Sequence, residues 1–398
     1  MIPSERRVAS RRARQRTQRR RAAAIGLALV LATAGGVGAA VKLSGGASGG
    51  HAASKPAHDA RAEGVSATAA TSGVSNAPAT ATVSITVVGD VVMGTTGALP
   101  KDGGRTFFDA VDQNLRSGLS LGNLEGTLST GSGSKCGAGS TNCFAFQMPP
   151  SYAVWLRRAG FRIMNLANNH AFDYGERGLR QTEATLTAHG IAFTGPPGRI
   201  TVLTRHGVRV AFLGFSSYPW ANDLTDIPAA RRLVAKAAGQ ADLVVVMLHG
   251  GAEGADRTHV PHGTEYFLGE NRGNLRAFSH AVIDAGADLV VGSGPHVLRG
   301  MEWYHDRLVA YSLGNFAGYK VLSTSGVLGI SAILHATLHA DGSWAKGRLD
   351  ASELVDGGFP ALDPDRHAYG LVRELSRADF GRRAMSISRS GALDPPAG

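Results

Sequence analysis

The sequence predicts a layered α/β domain that follows an N-terminal segment of different character. From residue 81 onward, apolar and β-branched runs alternate with amphipathic helical patterns. Several of these runs end in Asp, Glu, Asn or His, which puts polar chemistry at the ends of strands. Before residue 81 the chain is first basic, then apolar, then rich in Ala, Ser, Gly and Thr. We therefore expect the chemistry of the protein to lie in residues 81–385.

The N-terminal segment contains most of the excess positive charge. The chain carries a net charge of +10, and residues 1–43 alone carry nine Arg and Lys42 against Glu5. The remainder is nearly neutral, so composition gives no reason to expect a nucleic-acid partner. Residues 1–21 are predicted to form a basic cytoplasmic tail.

Residues 22–43 contain an uncharged run that is long enough to cross a bilayer as a helix. Because arginines precede the run, we expect the N-terminus to stay inside and the rest to be exported. An uncleaved signal anchor and a cleaved signal peptide both fit. The first gives a single-pass protein of the cell membrane with an extracytoplasmic domain, and the second gives a secreted protein. Residues 44–80 read as a disordered linker.

The folded domain is predicted to alternate strands with helices. Strands are predicted at residues 82–88, 120–126, 161–164, 191–194, 208–215, 241–248, 288–292, 307–315 and 327–339. Helices are predicted at residues 107–115, 149–160, 176–189, 228–239 and 274–285, with one more before residue 383. Residues 386–398 are predicted to be a flexible tail.

Residues 165–175 form the most polar cluster at any strand end. Two amides precede His170, and Asp173 follows it three residues later. Asn169 and His170 could ligate a metal, while Asp173 could accept a hydrogen bond from the His170 ring and fix its tautomer. An Asx-rich turn, whose side chains bond their own backbone, is the alternative for this segment taken alone.

Five predicted strands end in possible metal ligands. In parallel sheets the carboxyl ends of the strands meet at one edge, where ligands bind. Mixed oxygen and nitrogen ligands from several strands can build a hydrolytic site for one or two divalent ions, here Mn, Fe or Zn. The residues concerned are Asp90, Glu125, Asn169 with His170, His249 and His296.

Cys136 and Cys143 lie in a Gly/Ser-rich loop. Because an exported protein meets an oxidising compartment, we predict a local disulfide between them. Neither is predicted to be a catalytic thiol, and two Cys without nearby His make a poor zinc site.

In its motifs the chain resembles the CapA family of capsule, or poly-γ-glutamate, biosynthesis proteins. The matching blocks are residues 89–94, 122–125, 165–175, 249–253, 292–296 and 311–316. The Asn-Asn-His-x-x-Asp-x-Gly block at 168–175 and the Tyr-Ser-Leu-Gly-Asn-Phe block at 311–316 are the most specific. The resemblance implies a calcineurin-like metallophosphatase fold, which is a four-layer α/β/β/α sandwich.

The resemblance also implies roles for individual residues. His170 would be the catalytic acid that protonates a leaving group, with Asp173 orienting it. Metal ligands would be Asp90, Glu125, Asn169, His249 and His296. The cavity or its supporting shell would include Asn123, Asn168, Glu253, Glu302 and Asn315.

Three positions depart from the usual patterns. Val92 stands where metallophosphatases carry a His, a loss that CapA proteins share, and Gly250 stands where a Trp is usual. Ser293 and Gly294 occupy the places of a second His before His296. The site is therefore poorer in ligands than a true phosphatase site.

Three classes of function remain open. The first is a metal-dependent hydrolase acting on a phosphoester or a γ-glutamyl amide. The second is a non-catalytic component of a complex that makes or exports an anionic polymer. The third, a polyanion-binding module, gains no support from the nearly neutral domain.

Overall fold

The computed structural model describes residues 80–137 and 143–397. The predicted tail, membrane segment and linker therefore lie outside the described residues, apart from Thr80. Within the described ranges, no helix combines the length and the apolar character that a membrane crossing requires. Strands and helices are numbered below in chain order.

The first sheet has ten strands, in the order β20-β21-β18-β17-β1-β2-β5-β6, while β16 also pairs with β1 and β19 with β18. Its strands are β1 (Thr82–Val92), β2 (Leu119–Leu124), β5 (Phe161–Asn165), β6 (Ala192–Thr194), β16 (Asn315–Gly318), β17 (Ile330–His339), β18 (Trp344–Val355), β19 (Phe359–Leu362), β20 (Ser386–Ile387) and β21 (Ala392–Asp394). Strands β1, β2, β5 and β6 run parallel to one another, so their carboxyl ends share an edge.

The second sheet has seven strands, in the order β14-β15-β13-β10-β8-β7, with β9 paired to β8. These are β7 (Thr201–Arg205), β8 (Val208–Ser216), β9 (Asn222–Asp223), β10 (Leu243–His249), β13 (Leu289–Ser293), β14 (Met301–Tyr304) and β15 (Arg307–Ala310). Strands β8, β10, β13 and β15 are parallel. Two small pairs complete the strands: β3 (Thr127–Leu128) with β4 (Gln147–Met148), and β11 (Glu265–Phe267) with β12 (Glu270–Gly273).

The helices are α1 (Asp112–Leu115), α2 (Ala153–Ala159), α3 (Gly175–Ala188), α4 (Ile227–Ala238), α5 (Leu275–Ile283) and α6 (His367–Phe380). Short 3-10 turns occur at Pro150–Tyr152, Gly326–Gly329 and Gly381–Arg383. Asp226 and Asn274 cap α4 and α5, because each side chain accepts a hydrogen bond from the backbone N–H three residues later.

Three apolar clusters define four layers. The central cluster joins one face of each sheet, with Ile85 of β1 and Phe212 of β8 among its members. A second cluster packs the outer face of the first sheet against α1, α2 and α3. A third packs the outer face of the second sheet against α4 and α5. This is the predicted α/β/β/α sandwich, and the prediction of the fold class is confirmed.

Strand β1 continues beyond its predicted end at residue 88. It reaches Val92, and its pairing with β16 is irregular between Asp90 and Val91. A Cβ atom at Gly89 would lie 1.9 Å from the carbonyl oxygen of Gly314, so only glycine allows this close approach. The backbone N–H of Asp90 donates to the same oxygen at 3.0 Å. The two blocks that contain these glycines thus fix where Asp90 lies.

The C-terminal prediction was wrong. Residues 386–398 were expected to be a flexible tail, but β20 and β21 pair with each other, and β21 pairs with β18. Ile387 and Leu393 are buried in the central cluster. Because the segment is short and contains only two large apolar side chains, it gave too little pattern to predict strands.

Candidate metal centre

The carboxyl edges of both sheets contribute to one buried site. Asp90 lies in β1, and Glu125 follows β2 directly. His249 is the last residue of β10 in the second sheet. One possible ligand atom from each of these three residues lies within 4.8 Å of the others, and all three side chains are fully buried.

Four buried polar atoms of the predicted metal ligands, three of them in this site, have no hydrogen-bond partner among the described residues. Because buried polar groups are nearly always hydrogen-bonded, such a cluster calls for an explanation. The atoms are Oδ2 of Asp90, Oε1 of Glu125, Nε2 of His249 and Oδ1 of Asn169. Two carboxylate oxygens, an imidazole nitrogen and an amide oxygen form a suitable donor set for a divalent ion. These residues fit the metal that the resemblance implies.

Asn123 orients three of these side chains. Its Nδ2 donates to Oδ1 of Asp90 at 2.9 Å and to Oε2 of Glu125, and it lies 3.2 Å from Nδ1 of His249. Its Oδ1 accepts hydrogen bonds from Asn165 and Asn168, at 2.9 and 3.0 Å. Asn123 therefore contacts one polar atom of each ligand side chain and leaves the other atom without a partner.

The two carboxylates repel each other when no cation lies between them. Burial and the charge of Asp90 raise the pKa of Glu125 well above its usual range. Burial also acts to raise the pKa of Asp90, but the interactions of its carboxylate with His249 and His296 outweigh burial, so the pKa of Asp90 is lowered. Burial lowers the pKa of His249, which keeps its ring neutral and able to coordinate. A divalent cation would remove the conflict between the carboxylates.

His296 contacts acidic groups with both ring nitrogens. Its Nδ1 forms a hydrogen bond of 2.9 Å with Oδ1 of Asn315 and lies 3.2 Å from Oδ2 of Asp90 without forming a hydrogen bond to it. Its Nε2 lies 3.6 Å from Glu253. Burial opposes the effect, yet Asp90 and Glu253 raise the pKa of His296 well above its usual range. Its backbone φ of 61° is unusual for a residue with a side chain. To coordinate a metal, as predicted, His296 would have to exchange one of these contacts.

His170 and Asp173 form a bonded pair beside the centre. Nδ1 of His170 lies 2.8 Å from Oδ2 of Asp173, which also accepts a hydrogen bond from the backbone N–H of Phe146 at 2.6 Å. The Phe146 ring stacks on the imidazole at 4.2 Å. Nε2 of His170 lies 3.9 Å from Oε1 of Glu125. Burial lowers the pKa of His170 despite the neighbouring carboxylate of Asp173.

Three further predicted residues, Asn168, Asn315 and Glu253, contact members of the centre. Asn168 and Asn315 support neighbours in the centre: Oδ1 of Asn168 accepts from the backbone N–H of His170 at 2.9 Å, and Asn315 contacts His296. Glu253 bonds to Nη1 of Arg272 at 2.9 Å, and its pKa is lowered to about 2, since His296 and Arg272 outweigh the effect of burial.

The prediction that Glu302 lines or braces the cavity was wrong. Its carboxylate binds a separate set of partners: Nε2 of His280 at 2.9 Å, Oη of Tyr311 at 2.7 Å and Nε of Arg383 at 3.2 Å. Glu302 lies in β14, which pairs antiparallel with β15 at the edge of the second sheet. It therefore connects α5 and the C-terminal 3-10 turn to that edge, and its role is structural.

Two charged residues near the centre were not predicted. Nζ of Lys135 lies 2.7 Å from Oδ1 of Asp173 and donates to the carbonyl oxygen of Asn169 at 3.2 Å. Arg272 is almost fully buried in β12, behind Glu253. Both residues lie in short polar stretches that look like exposed loops. The only clue was that Lys135 precedes Cys136, which forms the expected disulfide with Cys143.

The layer order and this donor set define a four-layer α/β/β/α sandwich with a candidate centre for a divalent metal. A family model described as "Bacterial capsule synthesis protein PGA_cap" matches residues 84–320. The match covers more than half of the chain, so the chain belongs to this family, and the predicted resemblance is confirmed.

Individual relatives agree with this assignment. The capsule biosynthesis protein CapA of Bacillus anthracis is 33% identical over 183 residues, which cover 40% of this chain and 41% of the relative. The PGA biosynthesis protein CapA of Bacillus subtilis (strain 168) is 30% identical over 178 residues, or 40% of this chain and 43% of the relative. The chain thus matches about two-fifths of the length of these relatives.

Among solved structures, the 5'-nucleotidase precursor from Thermus thermophilus is similar with a TM-score of 0.38 and 16% identity. The alignment covers 68% of this chain and 54% of that chain.

Proposed function

We propose that this protein is a membrane-anchored, extracytoplasmic member of its family. In this proposal it serves capsule or poly-γ-glutamate production through a metal-dependent hydrolase-type site. The observation that carries the proposal is the set of unpartnered ligand atoms of Asp90, Glu125 and His249 beside the His170–Asp173 pair. A metal site and an imidazole held by a carboxylate are together the machinery of hydrolysis. The names of the relatives supply the biological setting, capsule and PGA biosynthesis.

The chemistry follows from what each side chain can do. Asp90, Glu125, His249 and Asn169 would hold the ion, which when bound polarises a phosphoryl or carbonyl oxygen and activates water. Asp173 holds the Nδ1–H of His170 and thereby directs Nε2 towards the centre. When protonated, Nε2 can deliver its proton to the leaving oxygen or nitrogen. The scissile bond is a phosphoester or a γ-glutamyl amide.

The first test uses His170→Asn in the full-length protein, with His189→Asn as the matched control. His189 directly follows α3 and bonds the carbonyl oxygen of Thr185, so its loss leaves the centre intact. Metal content is measured by elemental analysis, and hydrolysis is followed on phosphoester and γ-glutamyl substrates. We expect both variants to keep the metal and only His170→Asn to lose hydrolysis, roughly a hundredfold or more. Full activity of His170→Asn would rule out its role as the acid.

A second candidate function is a non-catalytic component of a polymer synthesis or export complex. The paired nitrogens of His296 and the presence of Val92 favour it, since both reduce the ligands available for a second ion. On this proposal, cells that carry His170→Asn still make polymer, whereas deletion of residues 22–43 stops production. Normal polymer from an unanchored protein would contradict both this candidate and the proposed anchor.

A further inference from the structure

A cavity of about 370 Å³ lies against the candidate metal centre. The titratable groups in its wall, His170, Glu253 and His296, all belong to or contact that centre, as does Asn315. Most of the remaining wall is apolar, formed by Phe144, Phe146, Phe267, Val321, Leu322 and Leu328. The cavity therefore combines a reactive polar region with a hydrocarbon-like surface. Its volume is within the range of small-molecule sites.

Two segments that line this cavity carry the most exposed large apolar side chains of the described chain. These side chains are Leu268 (89%), Phe144 (65%) and Tyr266 (63%). Phe144 lines the cavity itself, and Tyr266 and Leu268 are the chain neighbours of Phe267, which also lines it. Single exposed apolar residues are ordinary, but three in the two segments that border one cavity indicate a binding surface. These three residues are called the apolar rim below.

Leu268 adds independent support. It occupies the two-residue turn between β11 and β12 together with Gly269, and both residues have positive φ, 48° and 85°. Such turns favour Asn or Asp followed by Gly, because those residues tolerate a positive φ. A leucine at this position is locally strained and almost fully exposed to water. Neither property helps folding, so the residue is better explained by contact with a ligand.

The charges do not suit a polyanionic chain in the cavity. Among the described residues, no lysine or arginine lines it. The ammonium of Lys135 is engaged by Asp173 and Asn169, and the guanidinium of Arg272 is buried behind Glu253. A chain with a carboxylate on every residue would meet apolar walls and the carboxylate of Glu253. One anionic group at the centre, followed by an uncharged chain, matches the surface better.

We propose that the cavity and apolar rim bind the hydrocarbon chain of an amphiphilic substrate whose single anionic head group lies at the metal centre. This inference rests on the proposed function, because the head group needs the metal. It goes further by assigning the substrate class: a lipid-linked phosphate or carboxylate rather than an extended polyanion.

The experiment measures binding of ethyl, butyl and octyl phosphate to the metal-loaded full-length protein by calorimetry, below the concentration at which each forms micelles. Burying one methylene raises affinity about fourfold, so affinity should rise steeply from ethyl to octyl phosphate. A series of γ-glutamyl oligomers forms the second arm, and we expect no increase with their length.

Two variants test whether the cavity wall and the apolar rim cause the dependence of affinity on chain length. Leu322→Ser alters the cavity wall and should flatten the dependence on chain length. Leu268→Asn replaces the strained leucine by a residue that the turn favours, so the fold is preserved or stabilised while octyl phosphate binds several-fold more weakly. Leu362→Asn is the control, because Leu362 is an exposed leucine on β19 that does not line the cavity.

The outcomes separate this inference from the proposed function. If inorganic phosphate binds to the metal-loaded protein but chain length has no effect, the amphiphile proposal is overturned and the metal site stands. If γ-glutamyl oligomers bind more tightly as they lengthen, the substrate is a polyanion and the proposal is also wrong. If neither metal nor phosphate binds, the proposed function fails first.

Discussion

Asn123 connects the candidate ligand side chains of the centre to one another. Its amide group contacts three ligand side chains on one side and two asparagines on the other. It is fully buried, so no water replaces these bonds without rearrangement. Groups that orient metal ligands without touching the metal commonly control affinity.

We predict that Asn123→Leu lowers metal affinity by about ten- to a hundredfold while the protein still folds. Removing the amide frees the carboxylates of Asp90 and Glu125 to turn away from the centre. The measurement is metal retention against a competing chelator. Asn114→Leu is the control, because Asn114 bonds Asp350 in another part of the fold at 2.6 Å. Equal retention in the two variants would show that Asn123 does not organise the centre.

At the residue scale, the sequence indicated the ligands better than their support. Asp90, Glu125 and His249 follow apolar strands, and strand ends meet predictably in parallel sheets. The partners of those ligands depend on contacts between segments far apart in the chain. Asn123 and His249 are separated by 126 positions, and Lys135 reaches Asp173 from a loop without regular structure. No local pattern encodes such contacts, which is also why Glu302 was assigned to the wrong cluster.

At the scale of elements, the loop closed by the Cys136–Cys143 disulfide places Lys135 beside Asp173. The bond between Cys136 and Cys143 closes a short loop, and Lys135 lies next to it. The backbone N–H of Lys135 donates to the carbonyl oxygen of Asp173 at 2.7 Å, and its side chain contacts the carboxylate of the same residue. The loop is therefore fixed to the segment that contains His170.

We predict that the double substitution Cys136→Ser and Cys143→Ser lowers the free energy of unfolding by about 2 kcal/mol, as loop-closure entropy suggests for a loop of this size. Denaturant unfolding with and without a reductant measures it. The wild-type protein should become less stable in reductant, and the variant should not respond. A reductant-sensitive variant would indicate that the change arises elsewhere.

The buried carboxylate of Glu302 in β14 connects α5 and the C-terminal 3-10 turn to the second sheet through hydrogen bonds and an ion pair. Although burial opposes it, the hydrogen bonds from His280 and Tyr311 lower the pKa of Glu302 from its ordinary value of 4.5. A carboxyl with a lowered pKa in the folded state contributes stability above its unfolded pKa. It loses that contribution as the pH falls through the folded pKa.

We therefore predict that Glu302→Gln destabilises the protein by about 2–3 kcal/mol at pH 7, and that the difference from the wild type shrinks as the pH falls below 4.5. Thermal unfolding across this pH range tests the prediction. Glu374→Gln serves as the control, since Glu374 is exposed on α6. A difference independent of pH would mean that the charge of Glu302 contributes nothing.

Predictions of elements succeeded where strands are buried on both faces. β8, β10 and β13 are continuous apolar runs, and they appear within one or two residues of their predicted bounds. Strand β18 was missed because its first half is polar and partly exposed, with Lys346, Arg348 and Asp350 on alternate positions. The hairpin of β11 and β12 was missed for a similar reason: three of its four β12 residues are polar. Strands of such polar composition depend on their partners more than on their own residues.

At the scale of the whole molecule, the centre connects the two sheets. Asp90 and Glu125 come from the first sheet and His249 from the second. A bound ion would therefore stabilise the packing of one sheet on the other. The layered class was predictable from the alternation of strands and helices, whereas the membership of each strand in one sheet or the other was not. Which sheet a strand joins depends on pairings between segments far apart in the chain, such as β1 with β17.

We predict that removing the metal with a chelator lowers the melting temperature of the protein. At a free metal concentration about a hundred times the dissociation constant, binding contributes about 2.7 kcal/mol to stability. His249→Ala should start at the lower melting temperature and show no response to the chelator. A chelator response that persists in His249→Ala would point to an ion bound at another place.

The position of β1 has a consequence for how the chain matures. This strand lies at the middle of the first sheet, yet its neighbours β16 and β17 come from near the other end of the domain. A growing polypeptide that has emerged only as far as β15 leaves one side of β1 uncovered, and the carbonyl of Gly314 that receives the Asp90 amide is still missing. Pairings so distant in sequence form slowly. The candidate metal centre is therefore completed late, after release of the nearly complete chain, and the compartment in which folding ends would determine which ions it can bind.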